Sequence, residues 1–196
     1  GSSRFSDGNR WGFFPSAAFA WRVKEESFLK DVNAISDFKL RLGWGKTGQQ
    51  DTGKEYYTLT YKKSTSNHHL YPIGGIKNNP GTLFLPLAYN DDLTWETTTT
   101  WNVGIDYGMF DQRLTLNLDA YYRKTTDLLS TTTISAGQNF DNALLMNAGT
   151  LENKGFEVAI TGRPIQTKDW FVEVGVNAAY NKNEITELAG GRDMIE

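Results

Sequence analysis

Hydrophobic and polar residues alternate along most of this 196-residue chain, and helical periodicity is nearly absent. A period of two is typical of β-strands that present one apolar face. The alternation predicts six long strands, within 11–24, 38–45, 97–109, 113–126, 156–161 and 172–180. The sequence therefore predicts an all-β fold of antiparallel up-and-down strands.

The strand predicted over 101–109 shows how the two faces divide. Trp101, Val103 and Ile105 fall on one face, whereas Asn102, Gly104 and Asp106 fall on the other. In a transmembrane β-barrel the apolar face meets lipid and the polar face meets the lumen. We therefore expect these two sets of side chains to point in opposite directions.

Short and long connections alternate between the predicted strands. The links at 110–113 and 163–169 are short, whereas those at 45–94 and 128–149 are long. Within the first long connection, the run Tyr57, Leu59 and Tyr61 predicts one extra hairpin. In an outer-membrane barrel the long loops are extracellular and the short turns are periplasmic, which gives the predicted orientation.

Alternation alone leaves two architectures open, a soluble β-sandwich and a membrane barrel, because both have one polar face on each strand. The runs 97–109 and 113–126 exceed the usual roughly 5 to 6 residues and match the roughly 9 to 11 that cross a bilayer. Aromatic residues near strand ends fit the two interfacial girdles of a barrel. They are Trp11, Trp21, Trp44, Trp101, Tyr107, Tyr122, Trp170 and Tyr180. We therefore favour a transmembrane β-barrel.

The composition excludes several classes of protein. With 20 Lys+Arg against 23 Asp+Glu, the net charge of −3 offers no basic excess for nucleic acid. The absence of Cys excludes a disulfide scaffold, a thiolate zinc site and a Cys nucleophile. No segment approaches the roughly 20 consecutive apolar residues of a spanning helix.

Residues capable of catalysis lack a catalytic arrangement. His68 and His69 are adjacent, so they point to opposite sides of an extended chain and do not form a metal site. Asp91, Asp92 and Glu96 have no spacing that pairs carboxylates for acid and base chemistry. Sequence motifs of hydrolases, zinc proteases and phosphate-binding loops are missing. We expect neither an enzyme nor a cofactor.

Aromatic residues in the long connections are candidates for contact with a substrate or a partner. Amides lie close to them in the sequence at Gln49, Gln50, Asn139 and Asn142, and an aromatic face beside an amide can hold a sugar or a peptide. Packing of one loop against another is the alternative for each of them. The candidates are Tyr56, Tyr57, Tyr71, Trp95 and Phe140.

Charged residues on the predicted polar faces form a second set. They would hold an internal plug domain or line a wet interior, and they are Lys39, Arg41, Asp106, Asp119, Arg123, Glu157 and Glu173. Gly149, Gly155 and Gly162 predict close backbone approach or a bulge. Asn153 and Lys154, which precede Gly155, predict a turn.

Several longer strings resemble one family. They include NRWGFFPS and AWRVKEESF, ISDFKLRLGWGKTGQQ, DLTWETTTTWNVGIDYG, RLTLNLDAYYRKTTDLL, NAGTLENKGFEVAI and NAAYNKNEITEL. In this order they resemble the C-terminal half of the barrel of the SusC/RagA family, the TonB-dependent transporters of Bacteroidetes outer membranes. The resemblance covers almost the whole chain.

This resemblance implies a location and a set of partners. It implies an outer-membrane protein that imports glycan or peptide fragments under a SusD-like surface lipoprotein. It also implies energy from the TonB complex through an N-terminal part, so we expect residues 1–196 to be a partial barrel without the plug domain and the remaining strands. The alternative function is that of a soluble β-sandwich that binds carbohydrate.

Overall fold

A computed structural model describes residues 1–52, 57–63, 71–72, 83–133, 135 and 143–187 of the chain. The strands are β1 Ser16–Arg22, β2 Ile35–Gln49, β3 Tyr61–Lys63, β4 Tyr71–Pro72, β5 Leu83–Pro86, β6 Glu96–Met109, β7 Leu114–Thr126, β8 Leu129–Thr133, β9 Ala143–Asn147, β10 Thr150–Gln166 and β11 Phe171–Glu187. A single turn of 3₁₀ helix, Val23–Glu25, follows β1. The predicted all-β class is confirmed. Over these ranges, no helix has the length and apolar character needed to cross a membrane.

Six of the strands form one antiparallel sheet in the order β1-β2-β6-β7-β10-β11. Each long strand pairs with the next long strand along the chain, so the sheet is an up-and-down meander. Two small sheets are inserted into the connections. One has the order β3-β5-β4, and the other pairs β8 with β9.

The register of this sheet aligns residues of the same kind across the strands. Leu42, Val103, Ala120 and Phe156 form one cross-strand row, which is apolar. The adjacent row contains Arg41, Gly104, Asp119 and Glu157, which is mainly charged. Because side chains alternate along each strand, this register makes one face of the sheet apolar and the other polar. The predicted division of Trp101, Val103 and Ile105 from Asn102, Gly104 and Asp106 is confirmed.

The apolar face of the sheet is not covered by protein. Trp101, Phe156 and Val176 are 54%, 51% and 67% exposed. The accessible surface of 14,031 Å² is far above the roughly 9,300 Å² expected for a folded monomer of 22.1 kDa. A soluble sandwich would bury this face, so the architecture is that of a barrel wall.

The connections define two rims, as the sequence predicts. The short rim carries the turns at 110–113 and 167–170 and the connection at 23–34, and the long rim carries 50–95 and 127–149. At the first turn, Phe110, Asp111 and Gln112 all have left-handed φ values, of 53°, 55° and 65°. Arg113 N–H donates to Phe110 O at 3.2 Å and closes this turn.

Several predicted strand boundaries are wrong, and β2, β10 and β11 are all longer than the alternating runs that predict them. The first strand begins at Ser16 rather than near Trp11, because Phe14 turns away to pack against Trp95. The link predicted at 163–169 is mostly strand, since β10 continues to Gln166. A register shift between Gly162 and Ile165 accommodates Pro164, whose missing N–H is tolerated at a bulge.

Two further predictions also need correction. Asn153 and Lys154 do not form a turn, because they lie in the middle of β10 and pair with both neighbouring strands. The first long connection does contain extra antiparallel strands, as predicted, but they are β3, β4 and β5, and only Tyr61 of the run Tyr57 to Tyr61 belongs to one of them. The hairpin of β8 and β9 had no alternating signal in the sequence. The glycine predictions hold, with Gly149 at φ 103° and Gly162 at the register shift.

Candidate functional site

A network of three charged side chains lies on the polar face of the sheet. Arg41 donates from Nε and Nη2 to the two carboxylate oxygens of Asp106, at 3.0 and 2.9 Å. The same Nη2 reaches Asp119 at 3.0 Å. This arrangement satisfies one guanidinium with two carboxylates across β2, β6 and β7.

Gly104 makes room for this network. It pairs with Arg41 on one side and Asp119 on the other. A Cβ at this position would lie 2.6 Å from Asp119 Oδ1 and 2.7 Å from the Arg41 guanidinium. A side chain at this position would therefore displace the carboxylate or the guanidinium from the positions that they hold in the network. Of the predicted polar-face set, Arg41, Asp106 and Asp119 come together here.

Arg123 lies on the same polar face, nearer the long rim. Its direct cross-strand neighbours are Thr100 on β6 and Asn153 on β10. Over the described ranges, its guanidinium has neither an ion pair nor a hydrogen bond. Among the described residues, Arg123 therefore differs from Arg41 in having no carboxylate as a partner.

An open pocket of about 440 Å³ lies on the polar face, and the exposed side chain of Arg123 is part of its lining. Its lining combines hydroxyl and amide groups with apolar surface, and consists of Thr47, Thr98, Thr100, Arg123, Thr125, Leu151 and Asn153. The hydroxyls of Thr98 and Thr125 are 2.9 Å apart and hydrogen-bonded. Asn153 Oδ1 is buried and has no hydrogen-bond partner. An unpaired buried acceptor costs about 1 to 3 kcal/mol, so a donor supplied from outside would be stabilising.

A second candidate region is the rim cluster, formed by Phe5, Leu93, Leu145, Trp95 and Leu129. Phe5 and Leu93 are fully buried, and Leu145 is nearly so. The Trp95 ring lies 5.2 Å from Phe5. These residues bring the start of the chain, the first long connection and the β8–β9 hairpin together.

Phe14 extends the rim cluster towards the sheet. Its ring centroid is 5.2 Å from that of Trp95, in an edge-on arrangement. A Cβ added at Gly12 or Gly48 would collide with the Phe14 ring. Both glycines are therefore needed where this ring lies on the end of β2.

Polar contacts join the two long connections at the same place. The Asn147 side chain accepts from Thr94 N–H at 2.8 Å and donates to Thr94 O at 2.8 Å and to Asp127 O at 2.9 Å. Leu129 N–H donates to Glu96 Oε2 at 3.1 Å. The long rim therefore has a base with its own hydrophobic core and its own hydrogen bonds.

Three of the five predicted contact residues lie in the described part of the chain, each in a different setting. Trp95 is half-buried in the rim cluster, and its indole N–H donates to Asn9 O at 3.1 Å. Tyr57 is half-buried ahead of β3, and Tyr71 lies in β4. Tyr56 and Phe140 lie outside the described residues. Contact of these five residues with a substrate or partner stays a prediction.

The Arg123 pocket was not predicted as a site from the sequence. The alternation places Arg123 on the predicted polar face, but it gives no role to the threonines of β6, and Asn153 falls in a predicted turn. The cross-strand register is the signal that brings them together. In the described ranges no cluster of His, Asp or Glu is arranged to hold a metal, and His68 and His69 lie outside those ranges.

Comparison of the sequence with known proteins identifies relatives of this chain. The family model described as "TonB dependent receptor-like, beta-barrel" matches residues 1–194. TonB-dependent receptor SusC of Bacteroides thetaiotaomicron is 48% identical over 98% of this chain, and TonB-dependent receptor P3 of Formosa agariphila is 37% identical over 100%. The chain spans 19% of the length of each of these relatives.

A search of solved structures also finds proteins of this kind. The structure of the RagAB peptide transporter superposes with a TM-score of 0.80 and 28% identity, over 97% of this chain and 20% of that one. The resemblance to the SusC/RagA proteins predicted from the sequence strings is confirmed. The match to the family model over nearly every residue shows that this chain belongs to the TonB-dependent receptor-like β-barrel family.

Proposed function

We propose that this chain forms part of the wall of an outer-membrane transporter that imports glycan or peptide fragments. A SusD-like lipoprotein would act with it at the surface, and TonB would supply energy. The observation that carries this proposal is the single-layer sheet with one bare apolar face and one charged polar face. The likeness to SusC and to the RagAB transporter supports it.

The apolar face has the composition expected next to lipid. Its exposed side chains include Phe19, Leu42, Trp101, Val103, Phe156, Ile160, Val174 and Val176. Aromatic pairs lie towards both of its ends, with Trp44 against Trp101 near the long rim and Phe38 against Tyr107 near the short rim. Such pairs are typical of the two interfacial girdles of an outer-membrane barrel.

The edges of the sheet support a larger barrel. Within the described ranges, β1 and β11 each pair on one side only. An unpaired backbone group in hydrocarbon costs several kcal/mol, and a plugged transporter of this kind has roughly 22 strands. We therefore propose that further strands and a plug domain complete the barrel. The same open sheet argues against the sandwich alternative, which would cover one face.

Single cysteines in the full-length transporter test the orientation. Asp91→Cys lies on the long rim and Lys168→Cys on the short rim, and both positions are exposed. A membrane-impermeant thiol reagent added to whole cells should label only the cysteine at 91. Labelling of the cysteine at 168 alone would contradict the proposed topology, and recovery of the protein outside the outer-membrane fraction would contradict the location.

Growth tests the transport part of the proposal. Deletion of the gene should abolish growth on at least one member of a panel of soluble glycans and peptides. The wild-type gene should restore that growth. Unchanged growth on every member of the panel would contradict a role in nutrient import.

A further inference from the structure

We propose that the pocket around Arg123 binds a carboxylate that has an O–H or N–H donor next to it. This inference rests on the proposed function, because the polar face is the lumenal face only if the sheet is a barrel wall. It goes further by naming the chemistry of the bound group. The two sources of such a group are an acidic sugar and the free C-terminus of a peptide.

The charge of the pocket comes from Arg123. Arg41 lies on the same face and is satisfied by Asp106 and Asp119, whereas Arg123 faces threonine and asparagine. No carboxylate lines this pocket within the described ranges. An unpaired guanidinium in a concave site binds a planar carboxylate in two-point fashion better than it binds a neutral group.

The hydrogen-bonding groups narrow the ligand further. Asn153 Oδ1 is an acceptor without a donor, and it belongs to the residue directly opposite Arg123 on β10. The Thr100 hydroxyl lies on the other side of Arg123 and can donate or accept. A ligand that fits therefore offers an acceptor pair to the guanidinium and a donor to Asn153. A uronic acid with its neighbouring hydroxyl has this pattern, and so does a peptide C-terminus with its own amide N–H.

The position of the pocket suits a ligand that enters from the long rim. Arg123 is three residues from Thr126, where β7 ends at that rim. The Arg41 network lies further down the same face, nearer the middle of the strands. The open guanidinium is thus the one placed closer to the proposed extracellular side.

Titration calorimetry on the purified full-length transporter in lipid nanodiscs tests whether the Arg123 pocket binds a carboxylate. Two pairs of probes differ only in the acid: cellobiouronic acid against cellobiose, and tetra-alanine against tetra-alanine amide. At least one acid should bind about tenfold or more tightly than its neutral partner. The pair that shows the difference identifies the source as sugar or peptide.

Two adjacent positions provide the variant and its control. Arg123→Gln should remove the preference for the acid, whereas Lys124→Gln removes the same charge from the opposite face of β7 and should change affinity less than twofold. Arg123→Lys should recover only part of the preference, because an ammonium lacks the two-point geometry. Asn153→Leu should weaken the acid probe while Arg123 remains.

Three results would overturn the assignment. They are equal binding of acid and neutral probes, an Arg123→Gln variant that keeps the preference, or equal losses in Arg123→Gln and Lys124→Gln. Growth of the strain with the wild-type gene is measured separately. Normal nutrient-dependent growth together with any of these three results would reject the pocket and leave the proposed transport function standing.

Discussion

The sheet wall and the rim cluster are stabilised in different ways. The wall contains six paired strands, yet Phe156, Val103 and their neighbours are half exposed on its apolar face. The rim cluster contains no long strand, yet it holds the fully buried side chains of Phe5 and Leu93. Among the described residues, the hydrophobic core therefore lies beside the sheet rather than on it.

This difference shows which surroundings each region needs. The strands of the wall form backbone hydrogen bonds with one another within this chain. The apolar face of the wall, in contrast, is buried only when lipid covers it. The rim cluster buries its apolar groups against one another within the chain, so its burial does not require lipid. In the proposed transporter, one region would face lipid and the other would face water. Substitutions can test the comparison one region at a time.

Truncation of the buried leucine of the rim cluster should have the largest effect. Leu93→Ala in the full-length transporter leaves a cavity between Phe5 and Leu145, and we expect a loss of about 2 to 5 kcal/mol. Denaturant unfolding of the protein in phospholipid vesicles measures it. Leu59→Ala, at an exposed leucine in the same connection, is the control and should cost much less. Equal losses would show that the rim has no core of its own.

A charge placed on the apolar face of the wall should have the next largest effect. Val103→Arg should cost about 2 to 4 kcal/mol if this position lies near the bilayer midplane, because the guanidinium would then face hydrocarbon. Asn102→Arg places the same residue one position away on the polar face. The same unfolding measurement in vesicles should show little change for that variant. A neutral Val103→Arg would reverse the assignment of the two faces.

Loss of the side-chain hydrogen bonds of Asn147 at the long rim should have a smaller effect on the free energy of unfolding. Asn147→Ala leaves Thr94 N–H and O and Asp127 O without their partner, at a cost of about 1 to 3 kcal/mol. Asn147→Asp keeps the acceptor for Thr94 N–H and removes only the donors. We expect it to lose less than Asn147→Ala in the same assay. Should the aspartate variant prove the less stable, repulsion at the two carbonyls would outweigh the retained bond.

The strands and their faces could be predicted from the sequence because their pattern is local. β6 and β7 start and end within one residue of the alternating runs. The polarity of each residue indicates the face of the sheet on which it lies. The end of β10 at Gln166 cannot be predicted from the sequence, because Pro164 and Thr167 are typical turn residues and only the pairing with β11 shows the bulge.

The rim cluster and the Arg123 pocket could not be predicted in this way. Phe5, Leu93 and Leu145 are far apart in the sequence, and no periodic pattern links them. The pocket combines residues of β2, β6, β7 and β10, so it exists only once the register of four strands is known. The sequence predicts Trp95 as a contact residue, but the packing of its ring against Phe5 and Phe14 depends on the same long-range arrangement.

The unequal connection lengths also bear on the order in which the wall can assemble. The β6–β7 hairpin closes over 110–113, whereas pairing of β2 with β6 must first close the connection 50–95. The entropy of loop closure makes the second step costlier by roughly 2 kcal/mol for a flexible chain. Hairpins closed by tight turns should therefore become protected from hydrogen exchange before β2 joins β6, and simultaneous protection would argue against this order. Strand pairing would then start at the short rim, and the long connections would close last.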